Sequence, residues 1–502
     1  MAGTRTTADR HDEGGTVAGV LGNKTVMTRR FLLYTLVIAA AVLAIAGMIH
    51  LGASLLPTQE VRAVAAPGQA IGPFAQMLDN ATLPLPRLIL QLIVIVVVAR
   101  AFGFVARRLG QPPVIGEITA GVLLGPSLLG WVAPGASGFL FPAASMPILQ
   151  LLSQIGVLLF MFVVGVELEP AYLRGKAHAA IAVSHFSIII PFTLGVALSL
   201  ALYTHYGPAG VPFHAFALFC GIAMSITAFP VLARILEERH LTHTPLGTTA
   251  ITCAAVDDVT AWIILAFVIA IATAGGAMEA LLAIVVLSVM FVLVMIYAVG
   301  PVLQRVLNPD TRGDSPGKNQ IAIVLSVLLS SALVTEIIGI HALFGAFVAG
   351  AIMPVGGAFR ATLRARLESI SSVLLLPLFF VYTGLRTQVG LLDSVSSWAV
   401  CLAIIAVATT GKLGGTVLAA RWTGLSWRDS VALGSLMNTR GLMELIALNV
   451  GYDLGILTPE IFSMMVLMAL ATTAMTGPLL SLSLNWGRGR TLAPAGPMVR
   501  SS

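Results

Sequence analysis

The chain has 502 residues, 57% of them hydrophobic and only 10% charged, far from the roughly 25% charged of a soluble domain. That composition excludes an ordinary soluble globular protein, and the apolar runs are continuous rather than alternating, which argues for membrane-spanning helices over a barrel. The formal charge of +6 raises nucleic acid as a partner, but the basic residues sit between apolar runs, where they orient a membrane protein and need no nucleic acid.

Residues 1–30 form a polar tail ending in Lys24, Arg29 and Arg30, ahead of a first apolar run over 31–51. Its apolar core is longer than that of a signal peptide, which argues for a retained extra helix. A Pro/Gly-containing linker covers 52–85. Further spans are predicted over 86–106, 112–131, 147–167, 179–203, 214–238, 246–272, 278–304, 319–338, 340–355, 369–385, 397–421, 429–450 and 459–484, followed by a tail over 485–502. With the first helix this makes about fourteen spans. If the N-terminus is inside, clusters such as Arg107/Arg108, Arg174/Lys176 and Arg360/Arg364/Arg366 fall on the cytoplasmic side, while the opposite loops hold Arg62, Arg87 and Arg386. The bias predicts a multi-pass cell-membrane protein with both termini cytoplasmic. Cys220, Cys253 and Cys401 lie in apolar runs without CxxC spacing and are expected to be inert core residues.

An internal repeat runs through the chain, with copies over about 112–272 and 340–484. Gly116, Ala120, Gly121 and Pro126 are answered by Gly345, Ala349, Gly350 and Pro354; one helix later, Leu159, Phe160 and Gly165 are answered by Leu378, Phe379 and Gly384. An odd number of helices separates the copies, so they enter the membrane from opposite sides, as in transporters whose sites lie between inverted repeats. The same offset pairs 214–238, carrying Ser225, Thr227 and Pro230, with 429–450, carrying Asn438, Thr439, Arg440 and Gly441. Pro230 by itself fits an ordinary kink equally well; paired with Asn438–Gly441, it favours two corresponding interrupted helices.

Asp257 and Asp258 stand near the middle of the 246–272 run, where each charge costs a few kcal/mol and marks an ion or proton pathway. Adjacent helical residues point about 100° apart, so one carboxylate can meet water and a cation while the other meets a partner helix. Lys412 is the expected partner, because a buried ammonium without a counter-charge is costly. Arg440 and Glu444, spaced i, i+4, are expected to pair and close off charge near the interrupted helix. Glu117, Glu167 and Glu336 fall near helix ends, where solvation or capping is expected. His341 is expected to be wet at a short turn, and Ser184 and His185 to hydrogen-bond between helices.

The stretches Val256–Val259, Thr227–Pro230, Gly411–Gly415, Leu436–Leu445 and Gln111–Pro126 together resemble motifs of monovalent cation:proton antiporters of the second cation/proton antiporter family, within the sodium/hydrogen exchanger superfamily. The resemblance covers roughly 86–484. It implies an all-α, inverted-repeat sodium/proton antiporter-type fold with thirteen core helices, to which 31–51 adds one, in a homodimer whose core moves like an elevator. It implies Asp258 as the ion-binding carboxylate and Asp257 as the one tied to Lys412, with Thr227 on the crossing segment. Exchange of Na+ or K+ for protons follows as the expected activity, electrogenic if two groups titrate per cation. No enzyme activity and no cofactor are expected. A passive cation channel is the alternative. An intramembrane aspartyl protease needs carboxyls that face each other across a cleft, which neighbours on one helix do not.

Overall fold

The structure, a computed structural model, describes residues 82–167, 177–242, 244–273, 278–307, 317–354 and 357–485, with the isolated positions Leu43 and Asn80. The chain divides into Met1–Ala70 and Ile71–Ser502, and the fold described is that of the second unit. The expected tail 1–30, all of the extra helix 31–51 but Leu43, most of the linker 52–85 and nearly all of the tail 485–502 lie outside the described residues.

Every regular element among the described residues is helical. In order they are α1 (Pro84–Arg108), α2 (Pro113–Leu124), α3 (Met146–Glu167), α4 (Ala177–Tyr206), α5 (Phe213–Ala223), α6 (Phe229–Glu238), α7 (Pro245–Thr273), α8 (Met278–Val294), α9 (Gly300–Leu307), α10 (Lys318–Ile338), α11 (Ala342–Ala351), α12 (Gly357–Ile370), α13 (Leu376–Arg386), α14 (Val395–Trp422), α15 (Trp427–Met437), α16 (Leu442–Asp453) and α17 (Pro459–Asn485), besides a few single turns. Among the described residues, ten segments are long and apolar enough to cross a membrane. Without water to bind backbone amides, an apolar run inside a bilayer has little choice but to be helical. Prolines begin α1, α2, α7 and α17, where a missing N–H removes no helical bond. Gly339, at φ 96°, ends α10 in the left-handed conformation.

The predicted span 214–238 is two helices, α5 and α6, joined through Met224–Ala228. Pro230 does not kink a continuous helix. It sits in the first turn of α6, where its ring is tolerated and the chain restarts after an extended Ala228. The span 429–450 is likewise split into α15 and α16 at Asn438–Gly441. The span 340–355 shortens to the ten residues of α11.

The helices sort into two bundles by what they pack against. α1, α2, α3, α10, α11, α12 and α13 pack on one another; α4, α5, α6, α7, α14, α15, α16 and α17 do the same; α8 touches α7 and α10. In the first bundle, glycines let backbones touch. A Cβ on Gly121 would lie 2.2 Å from the Val381 carbonyl, and one on Gly384 2.5 Å from that of Ile118, where α2 crosses α13. Gly165 and Gly350 stand in the same relation where α3 crosses α11, 2.2 Å from Phe347 O and 2.1 Å from Phe162 O. In the second bundle, Gly411 lies against Pro191 and Gly415 against the Phe186 carbonyl, which brings α14 and its Lys412 onto α4.

Candidate functional site

The two breaks cross each other inside the second bundle. The Ala228 N–H donates to the Thr439 carbonyl at 3.0 Å, tying one unwound segment to the other. The Thr227 hydroxyl lies 3.1 Å from the Met437 carbonyl, the last of α15, and 2.5 Å from Asp257 Oδ2; its single proton serves one of them at a time. Ended helices leave carbonyls without donors and a partial negative charge. At the end of α5 two buried cations meet that charge. Arg440 donates to the carbonyls of Ala223, at 2.9 Å, and Met224, and Lys412 donates to the carbonyl of Ser225.

Asp257 and Asp258, in the middle of α7, are both buried at this crossing. Lys412 Nζ sits 2.7 Å from Asp257 Oδ2. Asp257 Oδ1 accepts from Ser187 at 2.9 Å and Ser184 at 3.2 Å, one turn apart on α4. Ser187 in turn accepts from Lys412 at 3.4 Å. Asp257 is therefore held by an ammonium and three hydroxyls. Asp258, one residue on, is 3% exposed, and neither of its carboxylate oxygens has a side-chain hydrogen-bond partner among the described residues. The Phe229 amide, in the first turn of α6, is turned toward it, so the positive end of that helix faces the carboxylate.

Arg440 and Glu444 pair at 3.4 Å, both fully buried. The closer contacts of Arg440 are the α5 carbonyls, and its backbone exchanges two hydrogen bonds with Thr473 of α17. Asn438 donates to the Thr472 carbonyl at 3.4 Å, leaving its own buried Oδ1 without a partner among the described residues. Thus Thr227, Asp257, Asp258, Lys412, Asn438, Arg440 and Glu444 all gather at one crossing, and Pro230 stands at its edge.

Ser184 does bond between helices as expected, to Asp257, whereas Ser187 and the Ser225 carbonyl stand out only in the structure. The signal was a Ser–x–x–Ser pair in an otherwise apolar helix, placing two hydroxyls on one face. Three expectations fail. His185 is exposed and bonds the Ile181 carbonyl of its own helix, at 2.7 Å, because it lies on the side of α4 away from α7. Glu117 is buried rather than solvated, since Gly103 leaves room for its carboxylate against α1. His341 is not simply wet: its Nδ1 is buried without a partner. Glu336 does cap, accepting the Ala342 N–H at 2.7 Å, and Glu167 pairs with Arg364 at 2.8 Å. The three cysteines are free and buried.

Residues 93–486 match the family model of the sodium/hydrogen exchanger transmembrane domain. The Na(+)/H(+) antiporter NhaS4 of Synechocystis sp. is 45% identical over 406 residues, covering 80% of this chain and 98% of that protein. Cation/H(+) antiporter 17 of Arabidopsis thaliana is 41% identical across 82% of this chain and 50% of its own length. For the K(+)/H(+) antiporter 1 of Saccharomyces cerevisiae the identity is 32%, across 80% of this chain and 47% of the relative. The chain thus spans almost all of the cyanobacterial relative and about half the length of the plant and yeast relatives. The solved structure of the sodium proton antiporter MjNhaP1 from Methanocaldococcus jannaschii superposes with a TM-score of 0.53, covering 80% of this chain and 99% of that one at 16% identity. At that identity the likeness speaks for a common fold.

Proposed function

The chain belongs to the sodium/hydrogen exchanger family, and from that premise we propose that it exchanges a monovalent cation, Na+ or K+, for protons, with Asp258 as the carboxylate that carries both. The observation behind this reading is the contrast between neighbours: Asp257 is saturated by Lys412, Thr227, Ser184 and Ser187, while both oxygens of Asp258 are buried without a side-chain donor among the described residues. Leaving a carboxylate so is costly unless its charge is met by a proton or a cation. Either satisfies Asp258, and both cannot do so together. Competition for one carboxylate couples the two fluxes without a separate gate. The unpartnered Oδ1 of Asn438, on the crossing segment, is a further oxygen for the cation.

If the Asp257–Lys412 pair also exchanges a proton in the cycle, two protons move per cation, and transport carries net charge. Moving one charge through 100 mV is worth about 2.3 kcal/mol, so the membrane potential then contributes to the driving force. The second bundle, which holds the whole site, is the body proposed to move as an elevator against the first, in a homodimer with both termini cytoplasmic. Support for an inverted repeat comes from the glycines: those of one copy meet the helices of the other, α2 with α13 and α11 with α3. A passive cation channel has no use for a buried lysine that holds one of its two carboxylates.

The test is transport in proteoliposomes with an imposed pH gradient. Adding Na+ or K+ is expected to dissipate the gradient through the wild-type protein and not through Asp258→Asn. Failure of both cations, or normal dissipation by Asp258→Asn, overturns the reading.

A further inference from the structure

The two bundles meet along a seam, and among the described residues most of the polar links that cross it gather at one end. There Arg386, in the last turn of α13, reaches from the first bundle into the second. Its guanidinium pairs with Asp453, the final residue of α16, and donates to Asn449 one turn earlier at 3.0 Å. The same guanidinium lies over the rings of Tyr452 and Phe462 of the second bundle, 4.3 and 6.0 Å from their centroids. Asn449 returns a bond to the Thr383 hydroxyl at 2.8 Å, and Gln150 of α3 donates to Asp453 at 3.1 Å. Just beyond α13, the Gln388 N–H donates to Ser463 of α17 at 2.8 Å. At the other end of the seam the turn between α1 and α2 lies on α17, where Gln111 donates to the Ala474 carbonyl at 3.3 Å.

All but the Gln388 amide are side chains near helix ends, and the Arg386–Asp453 pair is only partly exposed, at 13% for Arg386 and 26% for Asp453. A charge pair shielded in this way is worth more than one in open water. The arginine also gains from the aromatic faces it covers. The same contacts line a small, half-open pocket of about 30 Å³, shared by both bundles and including Ser153 and His341. That is room for about one water. The seam is therefore closed here without being packed solid.

We infer that Arg386 with Asp453 and Asn449 is a latch, which locks the two bundles together at the end opposite the basic loops and opens once in each transport cycle. The inference rests on the exchange reading for its place in a cycle. The latch itself is a statement about which end of the seam is shut. α16 joins the latch to the ion site: Glu444 stands in its first turn beside Arg440, and Asp453 ends it. A shift of the second bundle that carries Asp258 toward this end thus pulls on Asp453 directly.

The test uses the full chain in proteoliposomes with Ser153→Cys as a reporter, labelled by a membrane-impermeant maleimide and read by peptide mass spectrometry. In the otherwise wild-type protein labelling is expected to be slow from either side. Arg386→Gln and Asp453→Asn are each expected to raise it about tenfold, a shift of roughly 1.4 kcal/mol in the closed–open balance. The rise should come from the latch side alone. The charge-swapped pair Arg386→Asp with Asp453→Arg should return labelling close to the wild-type rate. Unchanged labelling in both single variants overturns the latch, as does equal labelling of the buried Cys220, which reports unfolding. So does a charge swap that labels as fast as the single variants. Transport in the same vesicles separates the two ideas: a protein that labels as expected but exchanges no cation overturns the exchange reading alone.

Discussion

Asp257 and Asp258 share a helix, a depth and a degree of burial, yet their surroundings have little in common. On the Asp257 side, α4 and α14 close at glycine contacts and deliver an ammonium and two serines, and the break after α5 adds Thr227. On the Asp258 side the described residues offer one helix end, with the Phe229 amide facing the carboxylate, and no side-chain hydrogen bond. The difference separates holding a charge from handling one. A carboxylate with four donors is a fixed part of the scaffold, and its removal leaves those donors stranded. A carboxylate with no side-chain donor is ready for a ligand, and its removal costs the fold little.

The largest effect should come from breaking the held side. Lys412→Met leaves the Asp257 carboxylate buried with hydroxyls alone, and stranding one partner of a buried pair typically costs about 3–5 kcal/mol. Thermal unfolding in detergent should show that loss, and Asp257→Asn combined with Lys412→Gln should recover most of it by removing both charges. If Lys412→Met unfolds at the wild-type temperature, Asp257 is not held as described. A second measurement addresses the bare side. Saturating Na+ or K+ at a hundred times its dissociation constant should stabilise the folded protein by about 2.7 kcal/mol. Asp258→Asn should abolish that gain while lowering the cation-free stability by less than about 1 kcal/mol. A cation effect that survives Asp258→Asn moves the ion to another ligand set.

Much of this contrast is legible in the sequence, for a physical reason. Two carboxylates and a lysine inside apolar runs are costly wherever the helices go, so Asp257, Asp258 and Lys412 stand out before any packing is known. The interrupted helices are legible through Pro230 and Gly441, although the position of Pro230 in the first turn of α6 is not: a proline reads the same whether it kinks a helix or starts one. Serines are harder. Within a helix a serine can bond the carbonyl of its own preceding turn, and the Ser184 carbonyl lies 2.9 Å from the Ser187 hydroxyl as an alternative acceptor, so its type alone does not reveal a partner three elements away. Which side of α4 faces α7 decided that Ser184 mattered and His185 did not. Arg386 and Asp453 read as ordinary residues at or beyond span ends, and only the meeting of α13 with α16 makes them a pair. Nearly all of the tails and of the 31–51 helix lies outside the described residues.

The smallest effect is also the finest probe of the comparison. Ser187 donates to Asp257 and accepts from Lys412, whereas Ser184 makes the longer bond to the same oxygen and no contact with the lysine. Removing a neutral hydrogen bond of this kind costs about 1 kcal/mol, so Ser187→Ala should lower stability by about that much and Ser184→Ala by less. Neither change touches Asp258, so the apparent cation affinity, read from the cation concentration that half-dissipates a pH gradient, should stay at its wild-type value in both. If Ser187→Ala instead weakens cation affinity while leaving stability intact, then Asp257 binds the ion as well as the lysine. The two carboxylates would then act as one site, and the division between held and bare would describe one state of the cycle rather than two permanent roles.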